Sequence, residues 1–396
     1  MLRFSGFTDE WNEVTLNDVA TFSKGKGISK NDISNYGIEC VRYGELYTKY
    51  NEMIYNIESK TDLDKNELKL SEKNDILIPC SGETAIDLAT ASCIQKDQVA
   101  IGGDITVIKT NQYAPFITYY LNQKKTEIAK YAQGVSIVHL YPKDFKVMNI
   151  RIPSINEQKM IIRLLEEITK KEQLLESKYQ QYQEFKKYLM QQIFTQKLRF
   201  DFKDTWDKVL LKDVAFIPKK TKLTNVEGLK LLTVKLHTKG IEINDRIKPK
   251  LTKRGRPYYI RRSGELLIGR QNFHNGGMGI VPKSLDGGIC SNAISSFNVF
   301  EDKIDVNYLY YFLARPEYYI KSERLIGGTG QKEFSEKELL KLKIDLPSLE
   351  EQNKIVDFLL NIDHKIELSE NQLNKTQEFK KGLLQQMFDN MLLFKL

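Results

Sequence analysis

The sequence predicts an α+β protein: two globular mixed α/β domains joined by two long helices that form an antiparallel coiled coil, with pseudo-two-fold character. Three observations lead there. The segment Ile152–Phe194 returns as Leu346–Phe388 at a constant offset of 194 residues, and an internal repeat dictates architecture before any local signal does. Within each copy the apolar residues alternate steps of four and three, the spacing of a helix that needs a partner. Finally, Leu2-Arg3-Phe4, Trp11 and VTLNDVAT at the start of the chain are answered by Leu198-Arg199-Phe200, Trp206 and VLLKDVAF just past the first long segment.

Each copy opens on a proline followed by a Ser-x-x-Glu box, Ser154 to Glu157 and Ser348 to Glu351. Such a box is expected to cap a helix, hydroxyl and carboxylate each satisfying a free amide. The first seam runs through Ile161, Leu165, Ile168, Leu175, Tyr179, Tyr182 and Leu189, with Glu172 and Lys186 as its charged members. The second runs through Ile355, Leu359, Ile362, Ile366, Leu373, Leu383 and Met387, with Ser369, Thr376 and Lys380 as weak points. A helix of about 40 residues is roughly 60 Å long and is not stable alone. Because the start of the chain repeats the segment just past the first helix, it is expected to lie beside the end of the second, which an antiparallel pair allows. The resulting division is 1–150 and 199–343 for the globular domains, 151–198 and 344–396 for the helical regions.

With 396 residues, 41% of them hydrophobic and 28% charged, the chain is long enough for two or three globular domains. MLRFSGFTDEW lacks the basic-then-apolar order of a signal peptide, and no apolar run approaches the roughly 20 residues of a membrane span. The expectation is a cytoplasmic protein with no membrane partner. Cys40, Cys80, Cys93 and Cys290 show no Cys-x-x-Cys spacing, which favours buried reduced thiols over a zinc site or disulfides.

The net charge of +8 is unevenly spread: −3 over residues 1–150, +3 over 151–198, +11 over 199–343 and −3 over 344–396. A domain at +11 suits a polyanion such as duplex DNA, with a steep salt dependence. Within it Arg246 to Arg262 interleaves cations, Arg254 and Arg256 among them, with Tyr258 and Tyr259; Lys219 and Lys220 lie earlier in the same domain. A solvated charged face would explain such a run equally.

The first domain reads as short strands, Ile76–Ile78 and Ile105–Ile108, and a helix over Phe116 to Lys130. The second repeats the order, Leu266–Ile268 answering Ile76–Ile78 and Tyr308–Leu313 answering Ile117–Asn122, whereas the loops between share little. Four polar loops fall at strand ends. They supply the candidate DNA contacts Lys24 and Lys26; Ser81, Glu83 and Thr84; Arg270, Gln271, Asn272 and His274; and Thr329, Gln331 and Lys332. Arg, Gln, Asn and Lys carry the donors and acceptors that pair with purine edges, although Gly-rich polar loops are also ordinary turns. Trp11 and Trp206 are assigned to packing, since a large ring just ahead of a domain's first strand usually closes its core.

Catalytic signatures are missing. Lys24-Gly25-Lys26-Gly27 lacks the length and ending of a phosphate loop, no Gly-x-Ser-x-Gly elbow is present, and neither is an Asn-Pro-Pro-Tyr or Asp-Pro-Pro-Tyr methyltransferase signature. The four histidines, at 139, 237, 274 and 364, are too scattered for a metal site. Glu67-x-Lys69 matches the tail of a nuclease pattern that any charged stretch contains by chance. No catalytic or metal-binding residue is expected.

Taken together, the helices introduced by PSINEQ and PSLEEQ and closed by EFKK-x-L-x-QQ-x-F, the openings EWNEVTLNDV and TWDKVLLKDV, GKGIS, and GGTGQKEFSEKELLKLKIDLPSLEEQ resemble the DNA-specificity subunit of type I restriction-modification systems. The similarity spans essentially the whole chain. It departs at AQGVSIVHLYPKDF, Ala132 to Phe145, a poorer match than Gly327 to Lys332 to the family's Gly-Thr-Gly-Gln-Lys loop. The resemblance implies a non-catalytic subunit of a DNA-methylating, phage-defence system. Its two target recognition domains would each read half of a bipartite, asymmetric duplex site, with half-site centres near one helical turn, ~34 to 36 Å, and its helices would set the unread spacer. Partners would be double-stranded DNA, two methyltransferase subunits and two ATP-dependent restriction/translocase subunits; S-adenosylmethionine, ATP and Mg2+ would sit on those subunits and no cofactor on this chain. A stand-alone two-domain DNA-binding regulator would share the basic domain but has no need of a cyclic plan. A coiled-coil scaffold would leave the divergent loops unexplained.

Overall fold

A computed structural model describes residues 3–134, 138–252, 255–322 and 333–389. The chain forms two compact units, Met1–Glu176 with Asn371–Leu396 and Ser177–Glu370. Each unit therefore takes one half of each long helix.

Both units begin with the same closure. In the first, Asn12–Thr15 pairs antiparallel with Asn149–Ile152, Asn12 facing Ile152; in the second, Asp207–Leu210 pairs antiparallel with Lys343–Leu346, Asp207 facing Leu346. The domain is thus tied shut directly before each long helix starts. Behind this ribbon the first unit has two five-stranded sheets. One runs Ala20–Lys24, Ile105–Thr110, Ile76–Pro79, Ser92–Ile94, Met53–Ile54, and the other is built on Ile38–Val41. The second unit is leaner: a four-stranded sheet in the order Ala215–Phe216, Ile294–Val299, Leu266–Gly269, Met278–Ile280, and two two-stranded ribbons.

The helix expected over Phe116 to Lys130 is shorter and broken. It runs Ala114–Gln123, and after Lys124 leaves the helical region a separate turn spans Lys125–Ile128. Its fully apolar face, Phe116, Ile117 and Leu121 among it, lies in the core, so packing decides its length rather than propensity. In the second unit Val306–Leu313 takes the same place, capped by the Asp305 carboxylate, which accepts from the amides of Asn307 and Tyr308.

The long helices are Ile155–Phe194, 40 residues, and Leu349–Leu384, 36 residues. Within each unit they run antiparallel. In the first, Ile161, Leu165 and Ile168 share one core with Leu383, Met387 and Phe388, and further along Glu172 accepts from Lys380 Nζ at 3.2 Å. In the second, Met190, Ile193 and Phe194 share a core with Ile355, Val356 and Leu359, and Lys186 pairs with Asp363. Leu189, Ile362 and Leu373 are buried, while Leu175, Tyr179, Tyr182 and Ile366 are half-buried. The terminal phenylalanines plug the domains: Phe388 lies 5.6 Å from Phe116 and 6.1 Å from Tyr120, and Phe194 lies 5.7 Å from both Tyr308 and Phe312.

The boxes at the helix starts are built differently from the expected reciprocal caps. Ser154 and Ser348 do accept from the amides of Glu157 and Glu351, at 3.4 and 3.3 Å. The carboxylates turn away. Glu157 is gripped by Arg3, Nε to Oε1 at 2.8 Å and Nη2 to Oε2 at 2.7 Å, and Glu351 by Arg199 at 3.0 and 2.7 Å. A two-pronged guanidinium–carboxylate pair is stronger than a neutral amide cap, which explains the choice. The neighbouring Gln158 and Gln352, both fully buried, each donate to their box proline's carbonyl at 2.9 Å. Their Oε1 atoms accept from Tyr113 N at 3.0 Å and Asp305 N at 2.9 Å, the residues that start the domain helices.

Trp11 and Trp206 are buried, the first edge-on to Phe116 at 5.8 Å, the second to Tyr308 at 6.3 Å. The four cysteines are buried free thiols. Burial pushes Cys40 and Cys290 up to about 11 and Cys93 up to about 12, so their thiolates are absent at neutral pH.

The box and the seam can both be tested by substitution. Glu351→Ala strands Arg199 and removes the acceptor of Trp206 Nε1, so we expect a loss of about 3 kcal/mol in chemical denaturation. Glu157→Ala should cost measurably less, since Trp11 Nε1 has no hydrogen-bond partner; equal losses would refute the distinction. Across the seam, Glu172→Lys should destabilise by about 1 kcal/mol, and adding Lys380→Glu should restore most of it, read as a coupling energy in a double-mutant cycle.

Candidate nucleic-acid interface

In the first unit two of the polar loops and the segment Val138–Leu140 meet at one end of the first sheet. Lys24 faces Thr106 and Thr106 faces Ile78 across adjacent strands, which brings the Lys24–Lys26 turn next to the loop that leaves Pro79. Gly25 makes the turn possible, because a Cβ there would stand 1.9 Å from the Gly102 carbonyl oxygen. Its amide donates to Ile105 O and that of Lys26 to Ile101 O, both at 2.9 Å; the two lysine side chains are exposed. Val138–His139 then pairs antiparallel with Ser81–Gly82, and the Leu140 amide donates to Cys80 O at 3.0 Å.

Ser81 and Thr84 are spent within the fold. Ser81 is buried and donates to Asp104 at 3.1 Å, while Thr84 caps the turn Ala85–Leu88 and donates to Asp87 at 2.6 Å. That leaves Glu83 as the exposed charged group of this loop.

The second unit repeats the attachment with other chemistry. The Phe334 amide donates to Arg270 O at 3.0 Å, as Leu140 does to Cys80, and the rings of Phe334 and Phe273 meet edge-on at 5.1 Å. Leu140 and Phe334 are fully buried and stand 194 residues apart. Leu140, which lies within the stretch departing from the expected sequence pattern, thus holds the same place as Phe334. The loop from Arg270 is wound tightly: Asn272 O accepts from Asn275 and Gly277, and Gly276 takes a left-handed φ of 68°. Asn272 is exposed, Arg270, Gln271 and His274 are half-buried, and Asn275 Nδ2 lies 3.1 Å from His274 Nε2.

Two carboxylate contacts of this loop are not legible in the sequence. Arg270 Nη2 meets Glu333 Oε1 at 2.8 Å and Gln271 Nε2 donates to Glu333 Oε2 at 3.3 Å. Arg270 also lines a cavity of about 320 Å³, together with Lys220, Tyr259, Arg261, Ser295 and Glu336, among others. Arg261 escapes sequence reasoning because it reads as one more cation of a charged run; it is 4% exposed and donates to Ile294 O at 2.7 Å. Lys220 is internal, pairing with Glu265 and donating to Ile260 O at 2.7 Å, and burial draws it below the ordinary lysine range. Lys219 and Arg256 are exposed. Arg254, Thr329, Gln331 and Lys332 lie outside the described residues.

Among the described residues no cluster of His, Cys, Asp or Glu could hold a metal ion, and no helix is long and apolar enough to cross a membrane. Both units are thus one repeated frame, closed by the same kind of ribbon and carrying different polar loops at the same strand end.

Comparison with known proteins identifies the family. The sequence profile described as the type I restriction modification DNA specificity domain matches residues 8–183 and again 203–378, and the chain belongs to that family. It is the DNA-recognition component, and not the catalyst, of a type I restriction-modification system. It is 23% identical over 401 residues to the type I restriction enzyme MjaVIII specificity subunit of Methanocaldococcus jannaschii, covering 95% of this chain and 91% of that one. Its fold is similar to that of a type I restriction-modification S subunit from M. genitalium, with a TM-score of 0.64, 16% identity and 98% of both chains covered. A further likeness, with a TM-score of 0.54, 17% identity and 96% and 98% coverage, is to a chain from a structure on complex assembly and conformational transition of the type I R-M system.

The turn at Gly25 gives a direct test. Gly25→Ala should displace the Lys24–Lys26 turn and lower the melting temperature, whereas Gly27→Ala, where a Cβ meets nothing within 4 Å, should be tolerated. Matched melting temperatures and matched duplex affinities for the two variants would show that the close approach does not constrain the turn.

Proposed function

We propose that residues 1–150 and 199–343 act as target recognition domains, each reading one half of a split, asymmetric duplex site, and that the helical regions 151–198 and 344–396 set the unread spacer. The observation that carries this reading is the equivalence of the two strand-end loops. Cys80 to Thr84 and Arg270 to Asn275 leave equivalent strands, Ile76–Pro79 and Leu266–Gly269, and are secured by equivalent amide bonds from Leu140 and Phe334, yet they share no residue pattern. One scaffold presenting two different edges suits two unrelated half-sites, since base choice is made by side chains in the groove and not by the frame beneath.

The chain then serves as the assembly centre for two methyltransferase subunits and two ATP-dependent restriction/translocase subunits. S-adenosylmethionine, ATP and Mg2+ belong to those partners, and the site of action is the cytoplasm, where the DNA is.

Exchanging residues 199–343 for a domain of another specificity should rewrite one half-site only, and deleting whole turns from both long helices should alter the spacer while sparing both halves. Genome-wide mapping of methylated positions in cells carrying each variant reads both outcomes. An exchange that changed both half-sites together would sink the modular reading.

A further inference from the structure

We infer that Glu333 is a positioning residue for DNA reading by the second unit, a clamp that fixes Arg270 and Gln271 in one arrangement. This rests on the reading that residues 199–343 recognise one half-site. Arg270 and Gln271 are adjacent and leave the end of the same strand, and they are the two residue types best suited to guanine and adenine edges in the major groove. Free in solution, such side chains sample many rotamers, and ordering each one on binding costs affinity. Here a single carboxylate takes both, Oε1 from Arg270 Nη2 at 2.8 Å and Oε2 from Gln271 Nε2 at 3.3 Å. All three side chains are half-buried, so each keeps a solvent-facing portion while its stem is held.

The clamp is built into the frame. Glu333 directly precedes Phe334, whose buried ring and whose amide bond to Arg270 O hold the two segments together. In the first unit the residue 194 positions earlier is His139, and it too lies against the strand-end loop, but through backbone pairing with Ser81. The same position therefore supports the reading loop in both units, by main chain in one and by a charged side chain in the other. A carboxylate there also restrains nonspecific binding, because it neutralises Arg270 and repels phosphates that lack compensating base contacts.

The test uses the full chain and a randomised duplex library, comparing wild type with Glu333→Gln and Glu333→Ala. Loss of the clamp should flatten base preference by about tenfold at one or two neighbouring positions of the half-site read by residues 199–343, and leave the other half-site as it was. Affinity for random duplex should rise, with a log–log salt slope steeper by up to about 0.9, as expected for one newly available cation. Glu333→Gln preserves shape and keeps one acceptor, so it should fold even if Glu333→Ala does not, and its effect should be smaller in the same direction. A residue of merely structural importance would lower the melting temperature and leave base preference intact. If both half-sites keep wild-type preference within twofold in a folded Glu333→Gln chain, the clamp is wrong while the two-half reading stands. A wild-type chain without any preference in the library would sink that reading and the clamp with it.

Discussion

The buried carboxylate at the start of each long helix is the contact on which the rest of the fold depends. Glu157 and Glu351 are each about 1% exposed, and a charge so placed is tolerable only with a matched partner. That partner comes from the linker that precedes each domain, Arg3 or Arg199. One ion pair therefore ties together a chain start, a helix start and, through the adjacent glutamine, the first turn of a domain helix. Because the glutamine's amide group is fully used by main-chain and side-chain partners, helix and domain are fixed in angle as well as in distance. A reading head needs that stiffness, since a small tilt at the helix start is magnified at loops on the far end of the sheet.

On this common base the two units diverge in an orderly way. Elements that touch the helices are nearly duplicated: the closing ribbon, the tryptophan, the terminal phenylalanine, the Glu-Gln pair. Divergence grows with distance from them, from two five-stranded sheets against one four-stranded sheet with two short ribbons to loops with no common pattern. At the strand end the first unit places Cys80, whose thiol lies 3.0 Å from Thr106 Oγ1, where the second places Arg270, which lines a cavity. The helix-facing half is constrained by packing that must recur, the far half only by what it reads.

The repeat makes the architecture legible, because an offset that never slips over two long segments can only mean two equivalent structural pieces. The antiparallel direction is legible for a related reason: the match of LRF and Trp11 to LRF and Trp206 places the chain start beside a helix end. The role of Glu157 and Glu351 is not legible locally. A Ser-x-x-Glu pattern looks the same whether its carboxylate caps its own helix or meets an arginine some 150 residues away, and local sequence carries no trace of that partner. The recurrence of an arginine at nearly the same distance from each box glutamate, 154 residues for Arg3 and Glu157 against 152 for Arg199 and Glu351, is the signal that could find it. Lys220 reads as a surface cation for the same reason, since its partner Glu265 lies 45 residues further along the chain, just ahead of the strand Leu266–Gly269.

The polar members of the seam obey the same logic. An apolar heptad pair is indifferent to sliding by one repeat, and two helices of this length offer several registers of similar burial. Glu172 and Lys380 in the first unit, and Lys186 and Asp363 in the second, meet only in one register; any slip leaves partly buried charges unpaired. Lys186 is further held 5.1 Å over the Tyr311 ring, and Tyr311 donates to Asp363 at 2.6 Å. In each unit the seam therefore gives up some apolar burial for a defined register. If the helices set how much DNA lies unread, as proposed, register is the quantity that cannot drift, since a slip of one heptad would move a reading loop by about 10 Å, roughly three base pairs at the 3.4 Å rise of a strand.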